Sequence, residues 1–264
     1  MIDTRASTPT TPDPPRSRHK AWWILGGILT GVVLLTGAAT AGLLLWTLPS
    51  PEKMEFHSED FQRAVANVDV DVSMGAVNLT SDDDGGFGVH RESTWRGDAP
   101  AITEEWVDDD SFAVDAECDT GFPIDFGVDL CSVEYWMSLP SGTAADVRTD
   151  LADIRADGLD GEMRLLSSAG TIEAERLRTT ETVVENSVGD VSLRFAEVLG
   201  DVTVTTSVGN VTIVVPDDGT TYEVRFESSI GEQNIDIATD RAAEADYLIQ
   251  VSTSVGDLDV RYAS

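Results

Sequence analysis

The sequence is poor in lysine, histidine and cysteine. Across 264 residues there are two lysines (Lys20 and Lys53), three histidines and two cysteines. Lys and Arg total 17 against 48 Asp and Glu, a net charge of −31. Such a surface repels phosphate backbones, which excludes a nucleic-acid partner. His19, His57 and His90 stand at no metal-ligand spacing. Cys118 and Cys131 form no CxxC and have no His nearby, which argues against a redox or metal pair. There is no Gly-x-Ser-x-Gly elbow, P-loop or dinucleotide fingerprint. Paired carboxylates are frequent, but in so acidic a chain they say nothing about glycosidase chemistry. No catalytic residue, cofactor or metal is expected.

Calcium has two candidate segments, Asp82-Asp83-Asp84-Gly85 and Asp108-Asp109-Asp110. Neither has EF-hand spacing. Gly85-Gly86-Phe87-Gly88-Val89-His90 matches part of a calcium-binding nonapeptide, but His90 stands at the Asp position and the motif does not recur. Both segments read as solvated acidic loops.

Long apolar runs are also scarce, with one exception. Ala21 to Leu48 runs 28 residues without a charge, long enough to span a bilayer as a helix. Trp22, Trp23 and Trp46 lie near its ends, and Arg16-Ser17-Arg18-His19-Lys20 precedes it. The basic flank predicts a cytoplasmic tail over residues 1–20, disordered by composition, and an extracytoplasmic remainder. Ala39-Thr40-Ala41 resembles a signal-peptide cleavage site, but the run continues to Leu48, beyond a normal signal segment. Gly27-xxx-Gly31 matches the packing spacing of membrane helix pairs. Residues 49–65 read as a linker, with Pro49 and Pro51 and mixed charges.

From residue 66 onward the chain reads as one β domain. Val68-Asp69-Val70-Asp71-Val72 alternates with period two, and Ser73-Met74-Gly75-Ala76-Val77 marks the start of a stack. Residues 82–120 are irregular, with short strands expected at Phe87–Val89 and Phe112–Val114. Cys118 and Cys131, outside the membrane, read as a disulfide. Val133 to Leu139 is an alternating strand ending in the turn Pro140-Ser141-Gly142-Thr143.

A cassette then recurs: Ser168-Ala169-Gly170-Thr171-Ile172, Ser187-Val188-Gly189-Asp190-Val191, Ser207-Val208-Gly209-Asn210-Val211, Ser229-Ile230-Gly231-Glu232-Gln233 and Ser254-Val255-Gly256-Asp257-Leu258. The glycines are 19, 20, 22 and 25 residues apart, a stacked-repeat signature. Gly200-Asp201 falls at a half period, so each repeat holds two short strands and two corners. Asp190, Asp201, Asn210 and Asp257 form an expected column of turn residues rather than a ligand stripe. Thr239–Asp246 is read as a loop or one helical turn. Trp95, Trp106 and Trp136 are expected to pack the start of the stack or plug its end, the rival being a sugar-stacking platform. With no separate cap after the last cassette, its strand is expected at an exposed end where a partner or second copy docks.

Cys131-Ser-Val-Glu-Tyr135, Leu139-Pro140-Ser141-Gly142-Thr143 and the Ser-x-Gly-Asp-Val repeats resemble the bacterial "putative adhesin" β-strand-repeat family. That family, of unknown function, is related to the toast-rack domains of envelope-stress proteins. The resemblance covers residues 131–264 well and 66–120 loosely. It implies a single-chain β-solenoid-like stack, membrane-tethered and outward-facing, with no catalytic residues to carry over. The chain departs from the pattern at Glu232-Gln233 and at Leu151-Ala152-Asp153, which lacks the Gly.

The expected architecture is therefore all-β, a β-solenoid-like stack behind one N-terminal transmembrane helix. The expected role is non-catalytic: an envelope module acting as adhesin, scaffold or stress-sensing partner. The alternative is a polysaccharide-acting β-helix enzyme. Against it, only 13 basic residues follow Pro49, scattered along the repeats.

Overall fold

The computed structural model describes residues 31, 37, 51–81, 86–118, 131–239 and 245–263. The chain divides into two compact units, Met1–Pro49 and Ser50–Ser264. In the first unit only Gly31 and Gly37 are described, both helical. The expected tail and the rest of the apolar run lie outside the described residues. Among the described residues no helix is long and apolar enough to cross a membrane.

Among the described residues the regular structure of the second unit is all strand. In chain order the strands are β1 (Lys53–Phe61), β2 (Asn67–Ser81), β3 (Phe87–Trp95), β4 (Ala101–Trp106), β5 (Ser111–Glu117), β6 (Cys131–Leu139), β7 (Ala144–Asp157), β8 (Met163–Ala169) and β9 (Ile172–Leu177). They continue with β10 (Thr182–Val188), β11 (Val191–Phe195), β12 (Val202–Val208), β13 (Val211–Val215), β14 (Tyr222–Ile230), β15 (Gln233–Asp236), β16 (Tyr247–Val255) and β17 (Leu258–Tyr262). All 17 join one sheet. The alternation seen in sequence sets their faces: Val202 and Val204 point into the core, with Thr203 and Thr205 turned away from it.

The sheet bends into two faces that share one core. The first face runs β4, β5, the start of β2, the start of β7, β8, β10, β12, β16, β14. The second runs β1, β3, β6, the end of β2, the end of β7, β9, β11, β13, β17, β15. β2 and β7 pass through the bend and belong to both. From β5 and β6 onward every pairing is parallel, giving rungs that each cross both faces. The end of β5 and the start of β6 are tied by the Cys118–Cys131 disulfide, with Cα atoms 5.8 Å apart. β1, β3 and β4 add antiparallel strands at this end. The buried Val, Ile, Leu, Tyr and Phe side chains of successive rungs form one continuous core, the arrangement by which rungs too small to fold alone support one another.

Three expectations change. Residues 49–65 are not a linker throughout, because Lys53–Phe61 pairs in full with β3. Nearly all its side chains stay exposed, apolar Met54 and Phe56 included, which disguised it. The stretch 82–120 holds three strands, β3, β4 and β5, longer than the two short ones expected. The last rung in sequence is not the end of the stack: β16 lies between β12 and β14, and β17 between β13 and β15. The terminal rung is β14–β15. Thr239 makes a bridge to Tyr222, and Asp246 and Tyr247 donate to the Thr221 carbonyl, so the segment around Thr239–Asp246 starts and ends beside the first residues of β14.

Candidate interaction surface

The corner glycines are fixed by close approach of backbone between rungs. A Cβ on Gly189 would collide with the Gly170 carbonyl, lying 2.8 Å from its carbon, and φ is +136°. Gly170 faces Ala152 in this way, Gly209 faces Gly189, Gly256 faces Gly209 and Gly231 faces Gly256. Gly200, at the opposite corner, faces Thr180. The Gly-less repeat keeps the register, with Ala152 beside Gly75.

The turn residues form rung-to-rung bonds. The Thr171 N–H donates to Asp153 (2.9 Å), Asn210 to Asp190 (2.8 Å), Asp257 to Asn210 (3.1 Å) and Glu232 to Asp257 (2.8 Å). Asp201 does not join this column. It sits at the other corner and accepts from the Leu248 N–H at 2.9 Å. The column is turn chemistry on the structure's own terms, one side-chain oxygen satisfying the next rung's backbone donor.

Behind the glycine corner lies a buried polar column: Thr149, Ser167, Asn186, Thr206 and Thr253 in register. Asn186 donates to the carbonyls of Gly170 and Gly189, both at 3.0 Å. The hydroxyls of Ser167, Thr206 and Thr253 have no partner.

In front of the corner the cassette's second position points outward. Met74, Leu151, Ala169, Val188, Val208, Val255 and Ile230 stack in register. Leu151, Val188, Val208, Val255 and Ile230 are 42–68% exposed and make up half of the exposed large hydrophobic residues described. Seven rungs at strand spacing make a ridge about 29 Å long. The alternation Ser-x-Gly signalled its existence, but not its direction.

The β1 end of the stack is plugged. Phe61, Phe87, Trp106 and Phe112 form an aromatic cluster with centroids 5.0–5.6 Å apart. The Arg63 guanidinium lies 4.2 Å over Trp106 and donates to the carbonyls of Asp108 and Asp109. Beside it Glu104 accepts from Arg91 (2.6 Å) and Tyr135 (2.8 Å). Burial and the charge of Glu104 push the Tyr135 phenol far above its ordinary range. Trp106 thus serves as a plug. Trp95 is buried and Trp136 stands outward on β6, and the cluster holds no tryptophan but Trp106. The Asp108–Asp110 loop is held by Arg63, and Asp82–Asp84 lie outside the described residues. Among the described residues no three His, Cys, Asp or Glu side chains gather as around a metal ion.

A groove of about 500 Å³ runs along the first face past Asp71, Asp115, Asp150, Glu185 and Ser187. Burial, then the charges of Asp115 and Asp150, raise the Asp71 carboxyl above its usual range.

Residues 136–261 match the model of a family described as Toastrack DUF4097. No curated protein matches the sequence. Among solved structures the chain is similar to a "putative cell adhesion protein" from Clostridium sporogenes ATCC 15579, at 14% identity over 81% of this chain and 100% of that one, with a TM-score of 0.50. It is also similar to a "putative adhesin" from Bacteroides fragilis NCTC 9343, at 12% identity over 80% and 98%, with a TM-score of 0.44. At such identity the first likeness speaks for the fold alone. Over residues 136–261 the chain is thus similar to a toast-rack repeat domain, the likeness that the cassettes implied.

Proposed function

We propose that this chain is a non-catalytic, membrane-anchored envelope module that engages a protein partner outside the cytoplasm. The apolar run 21–48 is its anchor, with the tail over residues 1–20 in the cytoplasm. The observation that carries the interaction role is the outward aliphatic ridge. A soluble surface scatters its exposed apolar residues singly, yet here Leu151, Val188, Val208, Val255 and Ile230 fall in one line. The "adhesin" names of the structural relatives agree with a contact function.

Photo-crosslinking in cells tests this, with probes at Val188 and Val208 and a control at Glu173, an exposed residue of the second face. One recurrent protein crosslinked from the ridge and not from Glu173 supports the reading. No crosslink from the ridge, or equal yield from Glu173, refutes it.

A polysaccharide-acting enzyme is the second reading, and one observation favours it. Asp71, with its raised carboxyl, shares a groove with Asp115 and Asp150, and glycoside hydrolysis uses one carboxyl that holds its proton beside a second carboxyl. Release of reducing sugar from envelope polysaccharide, lost on Asp71→Asn, would select this reading over the first.

A further inference from the structure

The two ends of the stack are finished differently. At the β1 end the core is sealed by aromatic rings and the Arg91–Glu104–Tyr135 cluster. At the other end Val224, Phe226, Ile235 and Ile237 reach the core but remain partly exposed. In the rung beneath, Ile249, Val251, Leu258 and Val260 are buried. Among the described residues no strand lies along the outer side of Glu223–Ile230. Edge strands left open are usually blunted by Pro, by a bulge or by charged side chains, lysine above all. β14 has no Pro, bulge or lysine, and its charges, Glu223, Arg225 and Glu227, are of both signs.

The backbone of β14 is oriented for another strand. The Tyr222 N–H is directed away from β16, to the Ala238 carbonyl. Alternate residues of a strand direct their backbone groups to the same side, so Val224, Phe226 and Ser228 present N–H and C=O to the open edge. An antiparallel strand centred on Phe226 would join Val224 to Ser228, Phe226 to Phe226 and Ser228 to Val224 of a second β14. In that register Arg225 stands opposite Glu227 twice, once on each side of the two-fold axis, and Glu223 stands opposite Ser229. Arg225 and Glu227 are both exposed on the outer side. Opposite charges directly across an antiparallel pair stabilise it and like charges oppose it. The charge pattern of β14 is thus complementary to itself read backwards.

We infer that β14 is the docking edge for β14 of a second copy of this chain, in an end-to-end two-fold dimer. The axis is self-complementary, as a closed isologous contact requires. The dimer covers Val224 and Phe226 and leaves the two β1 ends pointing apart. It does not depend on the aliphatic ridge.

Sedimentation velocity of the full chain in detergent tests this, across a micromolar concentration series. Wild type is expected to dimerise. Arg225→Glu puts like charges opposite each other, as does Glu227→Arg, and each is expected to weaken the dimer at least about tenfold. The double exchange Arg225→Glu with Glu227→Arg restores opposite charges in the same register and is expected to recover wild-type affinity within about threefold. Thermal melts of all four chains, expected to agree, exclude misfolding. A monomer at every concentration overturns the inference. So does a dimer indifferent to the single reversals, which would place the contact elsewhere, including the membrane helix. Single reversals that the double exchange fails to rescue overturn the Phe226-centred register.

Discussion

Gly189→Ala tests the closest contact between rungs. A Cβ at residue 189 would lie 2.8 Å from the Gly170 carbonyl carbon and 3.2 Å from Asn186 Nδ2. Comfortable carbon–carbon contact begins near ~3.5 Å, and the carbonyl oxygen lies nearer still, so the rungs must part by more than about 0.7 Å at this corner. That parting strains the bonds holding it: Gly189 N–H to the Val208 carbonyl at 2.9 Å, Gly170 N–H to Val188 at 3.1 Å, and both donations of Asn186. Overpacking of this kind costs about 1–3 kcal/mol. A non-glycine residue at positive φ adds about 1–3 kcal/mol. Together they predict a loss of about 4 kcal/mol, a large share of the ~5–15 kcal/mol that holds a domain folded. For a domain of this size the melting temperature should fall by about 12 °C. Gly142→Ala is the control: φ is +80°, but nothing lies within 4 Å of a Cβ there. It should cost only the backbone strain, and melt about 3–9 °C below wild type. Tryptophan fluorescence melts of the full chain in detergent measure both. If Gly189→Ala melts no lower than Gly142→Ala, the close approach between rungs is not what fixes glycine at this corner.

Two further outcomes follow from buried polar groups. The Thr206 hydroxyl is buried without a partner, so Thr206→Val, nearly the same shape, should stabilise the chain by about 1 kcal/mol, and a lower melting temperature would show that the hydroxyl is satisfied in solution. At alkaline pH, burial pushes the Tyr222 phenol up to about 12 and Tyr135 higher still, so both stay protonated in the folded state while the unfolded chain releases its phenolic protons near pH ~10. Folding stability should therefore hold below about pH 10 and fall above it, the slope approaching about 2.7 kcal/mol per pH unit for two groups. Melts at about pH 9 and about pH 11 that coincide would contradict the burial of these phenols.

What could be read in the sequence follows from what repeats. The strands from β8 to β13 were legible because β-branched alternation sets which side chains face the core, and the corner glycines because the same steric demand recurs at each rung. β1 was not legible. Lys53-Met-Glu-Phe-His-Ser-Glu-Asp-Phe61 leaves nearly all its side chains exposed, so its pairing with β3 leaves no apolar pattern to read. Arg91, Glu104 and Tyr135 meet from three strands, and nothing in their spacing announces it. The order of the last two rungs was hidden too, although it left a trace. Gln233 stands where Ile172, Val191, Val211 and Leu258 occupy other cassettes, because a terminal rung has a neighbour on one side only. What read as an imperfect copy is an end.

The exchanged order of the last rungs also sets how this domain can be assembled. A simple stack can grow as its chain emerges, each rung settling on the one before. Here β14–β15 has no place on β12–β13, because the strands that pair there, β16 and β17, are made later. It must be held away until Tyr247–Tyr262 inserts beneath it. The far end of the stack is therefore a clasp rather than a growing tip. It closes through a strand pair whose contacts reach back 47 residues, as between Asn210 and Asp257, and it gives an otherwise local fold one late, long-range event that a truncated chain would leave open.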